Sequence, residues 1–458
     1  MPNKINSDPE QSQFWHKRVG LLALPIIFSN ISVPLVGAVD TAVMGHLQEV
    51  ELIGAVALGA SIFSLVFWIF GFLRMGTSGL VAQAHGALDH HSITLTLWRS
   101  LLIAVALGLC VITLQKPLFL LFFGLLDASE RLVDLTEQYY STRIWAAPAT
   151  LANYVVLGTL IGLQRMSSVL IFQLFLNLLN ISLDILFVPV LGWDIKGVAL
   201  ASVISEYAAL VLGLFLIRRP LYEASHQLSR LLLFNRAALI ELFSLNGNIF
   251  IRTLLLVLSF IYFTASSTKL GVTALAANAI LIQILHLCAH ALDGFAHAVE
   301  TLSGQAWGSK NRKHLTLAIK VSTQQSMLVA VLMSVAIYFG GPQLISLFTN
   351  QIEVIEFGLK SLPWLIILPV ISVWCYQLDG IFIGTTHSRE MRNAMIASAG
   401  FFVICTEILT RTMGNAGLWT AFCAFMLIRA LTLLQYLPGI IRKAGTVPTQ
   451  NCAGKTHD

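Results

Sequence analysis

Eleven ionisable side chains interrupt otherwise apolar stretches of this sequence, and they are the residues that could do chemistry. In the first half they are Asp40, Arg74, Arg143, Asp184 and Glu206; in the second, Arg252, Asp293, Glu300, Asp379, Glu407 and Arg429. Within a membrane such a group costs about 2.5–3.5 kcal/mol on insertion scales, so it faces a cavity or a partner. Asp40 is a lone carboxylate in SVPLVGAVDTAVMG (32–45), with Pro25 and Pro34 upstream on the same stretch. Proline removes a backbone hydrogen bond and promotes kinks. Gain and loss of a proton at Asp40 could therefore select between straight and bent helix forms. The densest cluster is NLLNISLD, where at ~100° per residue Asn177, Asn180 and Asp184 fall on one helix face. An acid that changes charge, oriented by neutral amides, is what a proton or Na⁺ site needs. The same asparagines could instead bond to neighbouring helices as packing contacts.

Two further pairs share helix faces at i, i+4. Ser202 and Glu206 do so beside Tyr207, and Tyr139 does so with Arg143. A Tyr139 hydroxyl facing an acid could donate to it, or the ring could anchor the helix at the membrane interface; Arg143 is most simply the counter-ion of Glu206 or another acid. HLCAHALDGFAHAVE places His286, His290, Asp293 and His297 on one stripe, with Glu300 beyond. That spacing could ligate a metal, but no second His or Cys cluster exists to complete a site, and histidines lining a wet cavity need none.

These side chains require membrane-spanning helices to position them. Of 458 residues 56% are hydrophobic and 11% charged, with a mean hydropathy of +0.78, whereas a soluble domain carries about 25% charged residues. Apolar windows centre near residues 31, 66, 104, 151, 178 and 208, then near 254, 288, 324, 369, 398 and 428, which gives twelve spans of ~20 residues. LFLLFFGLL (118–126) and PQLISLFTN (342–350) read as short interfacial helices at matching places in each half. With twelve spans, the segments that hold both termini carry eighteen Lys and Arg and the opposite loops six. This expects both termini in the cytoplasm. The polar start MPNKINSDPEQSQFWHKR has no signal-peptide pattern. Five cysteines lie in apolar stretches and Cys452 in the tail, without metal-ligand spacing.

AQAHG (82–86) matches GQAWG (304–308), and GTLIG (158–162) matches GIFIG (380–384), both at an offset of 222. Six spans per repeat is even, so the halves are expected to be parallel, related by an axis along the membrane normal. The expected divisions are an N-terminal tail (1–18), an N-lobe (19–217), a basic amphipathic linker (218–237), a C-lobe (238–438) and a C-terminal tail (439–458). Walker, Rossmann and HExxH signatures are absent, so no enzyme activity is expected, and transport would draw on an ion gradient unless another chain supplied ATP.

PIIFSNISVPLVGAVDTAVMGHL, FLRMGTSGLVAQAHGA, ALDGFAHAVETLSGQAWG and WCYQLDGIFIGTTHSREMRNAM closely resemble the DinF branch of the multidrug and toxic compound extrusion (MATE) family. The resemblance covers essentially all spans. It implies an all-α polytopic protein of the bacterial inner (plasma) membrane, with twelve transmembrane helices in two six-helix lobes arranged as a V. It further implies alternating access, with amphipathic, mostly cationic drugs or toxic compounds exported against inward cation flow. By that resemblance Asp40 matches the coupling acid of the first span, Asn180 and Asp184 its fifth-span partners, and Tyr139 the fourth-span tyrosine. Asn153 and Asn177 fall at further polar positions. Ser202 stands where family members often have Thr, so a hydroxyl survives. Offset by 222, Asp40 lands on Tyr262, which places the cation site in the N-lobe alone.

The resemblance favours proton coupling, with Na⁺ as the alternative because Asp184, Asn180 and Ser202 could supply oxygens. Glu206, Pro25, Pro34, Asp293 and Asp379, with Asn153 and Asn177, are the expected secondary polar or cavity residues. A lipid-linked saccharide flippase of the same superfamily is the neighbouring reading; it would call for basic cavity residues, of which Arg74, Arg143 and Arg252 are candidates. No cofactor or metal is expected beyond the proton or Na⁺ gradient. The expected partners are small amphipathic molecules, H⁺ and the lipid bilayer, with no nucleic acid, and the chain is expected to act as a monomer.

Overall fold

A computed structural model describes residues 9–45, 50–123, 129–222 and 230–445. Some side chains within these ranges, those of Pro34 and Asp40 among them, fall outside the described residues. The N-lobe opens with α1 (Pro9–Gly45), which runs unbroken past Pro25 and Pro34. The second span is in two pieces, α2 (Val50–Ile69) and α3 (Phe72–Gly86), followed by α4 (His90–Thr113) and the short α5 (Gln115–Phe123). Next, α6 (Glu130–Arg143) turns through a 3₁₀ segment (Ile144–Ala146) into α7 (Ala147–Gly162). After α8 (Met166–Ile185), a π-helical turn (Leu186–Val190) accommodates Pro189, and α9 (Asp194–Leu216) closes the lobe. The linker holds α10 (Arg218–Tyr222) and α11 (Arg230–Leu233).

The C-lobe comprises α12 (Arg236–Thr268), α13 (Val272–Gly308), α14 (Arg312–Phe348), α15 (Ile352–Gly384), α16 (Ser388–Met413) and α17 (Asn415–Leu434), with α18 (Leu437–Lys443) after it. Eleven stretches of the described residues are long and apolar enough to cross a membrane, and the 37-residue α1 is the twelfth helix of the bundle. No strand occurs among the described residues. Only closed backbone bonding of this kind survives in lipid.

The repeat seen in two pentapeptides extends into the backbone. Helix starts at Val50, His90, Glu130 and Met166 recur at Val272, Arg312, Ile352 and Ser388, each 222 residues later. Leu88 and Lys310 both adopt the left-handed conformation (φ 58° and 53°), as do Gln164 and Thr386 (58° and 57°). Non-glycine residues rarely adopt it, so its recurrence at matched positions marks a shared turn. Asp89 caps α4 by accepting the Ser92 N–H at 2.9 Å, and Asn311 caps α14 by accepting that of His314 at 3.0 Å.

The lobes meet where α3 crosses α13. A Cβ on Gly86 would collide with the carbonyl oxygen of Gln305, and one on Gly308 with that of Gln83. Both contacts are the same contact, reflected through the repeat. Ser78 and Glu300, also 222 apart, bond directly to each other, so they lie on the axis that relates the halves. Small residues let helix backbones approach this closely in a membrane, where burial between helices gains little over lipid. Each lobe has its own core: Phe172, Ile144 and Leu97 are buried in one, Trp419, Phe422 and Phe425 in the other. Large apolar side chains such as Leu347 and Phe339 remain on the outside, where lipid solvates them.

Of the two expected interfacial helices only the first is separate. α5 stands alone over Gln115–Phe123, with 124–126 outside the described residues, whereas residues 342–348 continue α14 through Pro342. The correction has a local cause. Beside Pro342, the bare Gly341 lets Leu362 of α15 pack closely against the helix, which holds the last turns of α14 onto its neighbour.

Candidate functional site

The N-lobe cluster is built on α8, which packs against both α1 and α9. Asn177, Asn180 and Asp184 are all buried on it, Asp184 completely. The Asn177 amide donates to Ser32 Oγ of α1 at 2.7 Å and accepts from Gln173 at 3.1 Å. The Asn180 amide points across to Ser202 Oγ of α9 at 3.4 Å. The α8 stripe therefore faces α1 and α9. Asp40 and Pro34 belong to α1, but their side chains are outside the described residues; Pro25 is half-buried on the same helix.

One step deeper, Asn153 of α7 donates to both the Glu206 backbone carbonyl (3.0 Å) and its carboxylate (2.8 Å). Arg143 approaches the other carboxylate oxygen at 3.8 Å and lies over the rings of Phe63 and Phe67, each 5.9 Å away. Glu206 thus has a counter-ion and an amide donor in a dry setting, where an unpaired charge would be costly. Tyr139 is 2% exposed, with its ring filling the space opened by Gly59 and a neighbour in Phe63 at 6.2 Å. That burial excludes the interfacial-anchor reading, which needs contact with headgroups.

Asp293 and Asp379 do not join this cluster. They line a cavity of about 410 Å³ in the C-lobe, closed on the N-lobe side by Trp68, Arg74 and Met75. The histidine stripe, His286, His290 and His297, lies on its wall, together with Glu300. Among the described residues, no three His, Cys, Asp or Glu side chains are grouped to hold a metal. Within the wall, one Asp379 carboxylate oxygen accepts from both Arg252 of α12 and Arg429 of α17. Glu300 accepts from Ser78 and pairs with His297 Nδ1 at 3.0 Å, and Arg74 reaches the same imidazole at 3.2 Å.

Sequence reasoning named these ionisable residues but missed their grouping. Ser78 and Glu300 stand 222 apart, an offset that marks them as repeat mates, while their contact follows only from their place on the axis. Arg252, Asp379 and Arg429 bear no such mark, because their repeat mates are Asn30, Leu157 and Tyr207 and carry no matching pattern.

A two-lobed helical bundle of this kind is an arrangement that known proteins share. The MatE family profile matches residues 25–186 and 249–408, one stretch in each lobe. DNA damage-inducible protein F of Escherichia coli K12 is 41% identical over 420 residues, covering 92% of this chain and 90% of that protein. The human multidrug and toxin extrusion protein 1 is 23% identical over 91% of this chain and 73% of its own length. Among solved structures, a MATE protein in the bent conformation superposes with a TM-score of 0.84 at 19% identity, covering 95% of this chain and 99% of that one. With a profile match over more than half its length and a relative well above 30% identity, the chain belongs to the MatE family of multi-pass membrane transporters.

Proposed function

We propose that this protein is a secondary active multidrug antiporter of the bacterial inner membrane, with both termini cytoplasmic. It exports amphipathic, mostly cationic compounds in exchange for protons, with coupling at Asp40 and Asp184. The observation that carries the reading is the complete burial of Asp184 on a stripe whose amides face hydroxyls of α1 and α9. Burial disfavours the charged form of a carboxylate, and each pKa unit by which two conformations differ is worth about 1.4 kcal/mol. Alternating access needs only that the proton bind the two conformations with different affinity. Asp40 lies on α1, the helix that contacts α8 in its own lobe and α13 in the other.

Na⁺ coupling is the second reading, favoured by the Asn180–Ser202 contact beside Asp184, which offers neutral oxygens to a cation. Transport of ethidium in proteoliposomes, with ΔpH and ΔNa⁺ imposed separately, decides between them. ΔpH alone is expected to drive transport in the parent and to drive none above empty liposomes in Asp40→Asn. Transport driven by ΔNa⁺ but not by ΔpH would overturn the proton assignment, and full activity in Asp40→Asn would overturn the role of that residue.

A further inference from the structure

The two lobes hold their buried charges differently. In the N-lobe, the acids Asp184 and Glu206 are buried and Arg143 pairs with Glu206; at the matching C-lobe positions stand Thr406 and Ile428, and Asn180 becomes Phe402. In the C-lobe, two arginines answer to the single acid Asp379. Arg252 and Arg429 are only 5% and 2% exposed, and the Nε of each has no hydrogen-bond partner. A buried guanidinium with unmade hydrogen bonds is costly, and one carboxylate cannot neutralise two of them. The pair therefore brings a surplus positive charge to this part of the cavity wall.

Asp293 lines the same cavity, with Arg74, His290 and His297 also on its wall. The rest of the lining includes the aromatic and thioether side chains of Trp68, Phe260, Tyr376, Met75 and Met426.

We infer that the C-lobe cavity is a binding site for zwitterionic amphiphiles, taking the anionic group at Arg252 and Arg429 and the amine at Asp293. The inference rests on the transport reading above and narrows its substrate class, from simple cations to molecules that carry both signs on an apolar body. Arginine suits the anionic end because its planar fork donates to carboxylate or phosphate oxygens.

Nε-dansyl-lysine and dansylcadaverine make a matched pair, since the first is the second with a carboxylate added. Binding to the purified full chain in an uncharged maltoside detergent is read from dansyl emission, with no gradient present. The parent is expected to bind dansyl-lysine about tenfold or more tighter than dansylcadaverine, the scale of one charge-assisted hydrogen bond. Arg252→Gln and Arg429→Gln are expected to abolish that preference while retaining dansylcadaverine binding, which reports an intact fold. If both arginine variants fail to fold, Asp379→Asn supplies the test: freeing both guanidinium groups is expected to raise the preference for dansyl-lysine. Equal binding of the two probes by the parent, or a preference unchanged by all three substitutions, would overturn the inference. Displacement of dansyl-lysine by glycerophosphoethanolamine would assign the site to a lipid headgroup, and its failure to displace would assign it to a soluble zwitterion; both outcomes keep the two-signed site. The outcome is independent of proton coupling, because binding is read at equilibrium with no gradient present.

Discussion

At the scale of single residues, the coupling proposed for Asp40 and Asp184 rests on one helix face. Asn180 of α8 is joined to Ser202 of α9, and Asn177 ties the same face to α1. Acids that are coupled titrate as a unit, so on that proposal Asp40→Asn/Asp184→Asn is expected to lose little more transport than either single substitution. Strictly multiplicative losses in the proteoliposome assay would show independent sites. Outside the spans, His387 sits in the turn after α15, with its ring 5.1 Å from that of Trp307 and Nδ1 3.0 Å from Thr385 Oγ1. Burial lowers its pKa from the usual histidine value. A group held neutral by the fold favours folding fully above its unfolded pKa of ~6.5, and this contribution is lost as pH falls towards the folded value. Thermal unfolding compared at about pH 7.5 and about pH 5.5 should show a larger loss in the parent than in His387→Phe, which keeps the ring without the charge. Equal losses would mean that His387 adds nothing to the acid sensitivity. The α8 stripe was legible because helical periodicity alone puts three residues on one face. The arginine pair on Asp379 was not, because it joins three helices far apart in sequence, and no local period records such a meeting.

At the scale of elements, the repeat has a direct physical consequence. Gly86 and Gly308 occupy one symmetric crossing, each against a backbone carbonyl of the other lobe. A methyl group at either position must push two helices apart, and overpacking of this kind costs about 1–3 kcal/mol. Gly86→Ala and Gly308→Ala are expected to destabilise the protein by that amount and equally, in unfolding titrations with a denaturing detergent. Gly400→Ala, where nothing lies within 4 Å of the added carbon, should cost nothing comparable. A tolerated substitution at either crossing position would show that the seam is looser than its backbone contacts imply. The pentapeptide repeat announced these glycines, yet not their partners, since a carbonyl oxygen leaves no mark on sequence. The expected helix break at 342–350 failed for the converse reason. A proline marks a missing hydrogen bond, but whether the helix ends there depends on the room its neighbours leave.

At the scale of the whole molecule, transport requires the two lobes to change partners at their seam. Towards the end of the bundle that we assign to the cytoplasm, Arg18 of α1 donates to Gln164 Oε1 at 3.0 Å and to Gln305 Oε1 at 2.7 Å. Gln164 itself donates to Gln305 at 2.8 Å, and Gln83 reaches the Gly384 carbonyl at 2.9 Å and Thr386 Oγ1 at 3.0 Å. These bonds join residues from both lobes and from α1, which runs between them, and they are neutral or singly charged. The neutral bonds are worth only about 0.5–1.5 kcal/mol net each and the Arg18 bonds about 1.5–3 kcal/mol, so the set closes the seam without locking it. If the lobes rock about the axis marked by Ser78 and Glu300, this layer must open in every cycle. Gln164→Cys/Gln305→Cys, in a chain whose six native cysteines are replaced by serine or alanine, tests that motion. Oxidation is expected to join the two cysteines and stop ΔpH-driven ethidium transport, and a reductant should restore it to the level of the cysteine-free parent. Arg18→Gln should shift the balance without a covalent tie, slowing recovery of the closed layer while leaving the fold intact. Full turnover with the cross-link complete would show that the seam stays shut throughout the cycle, and access would then have to alternate within a single lobe.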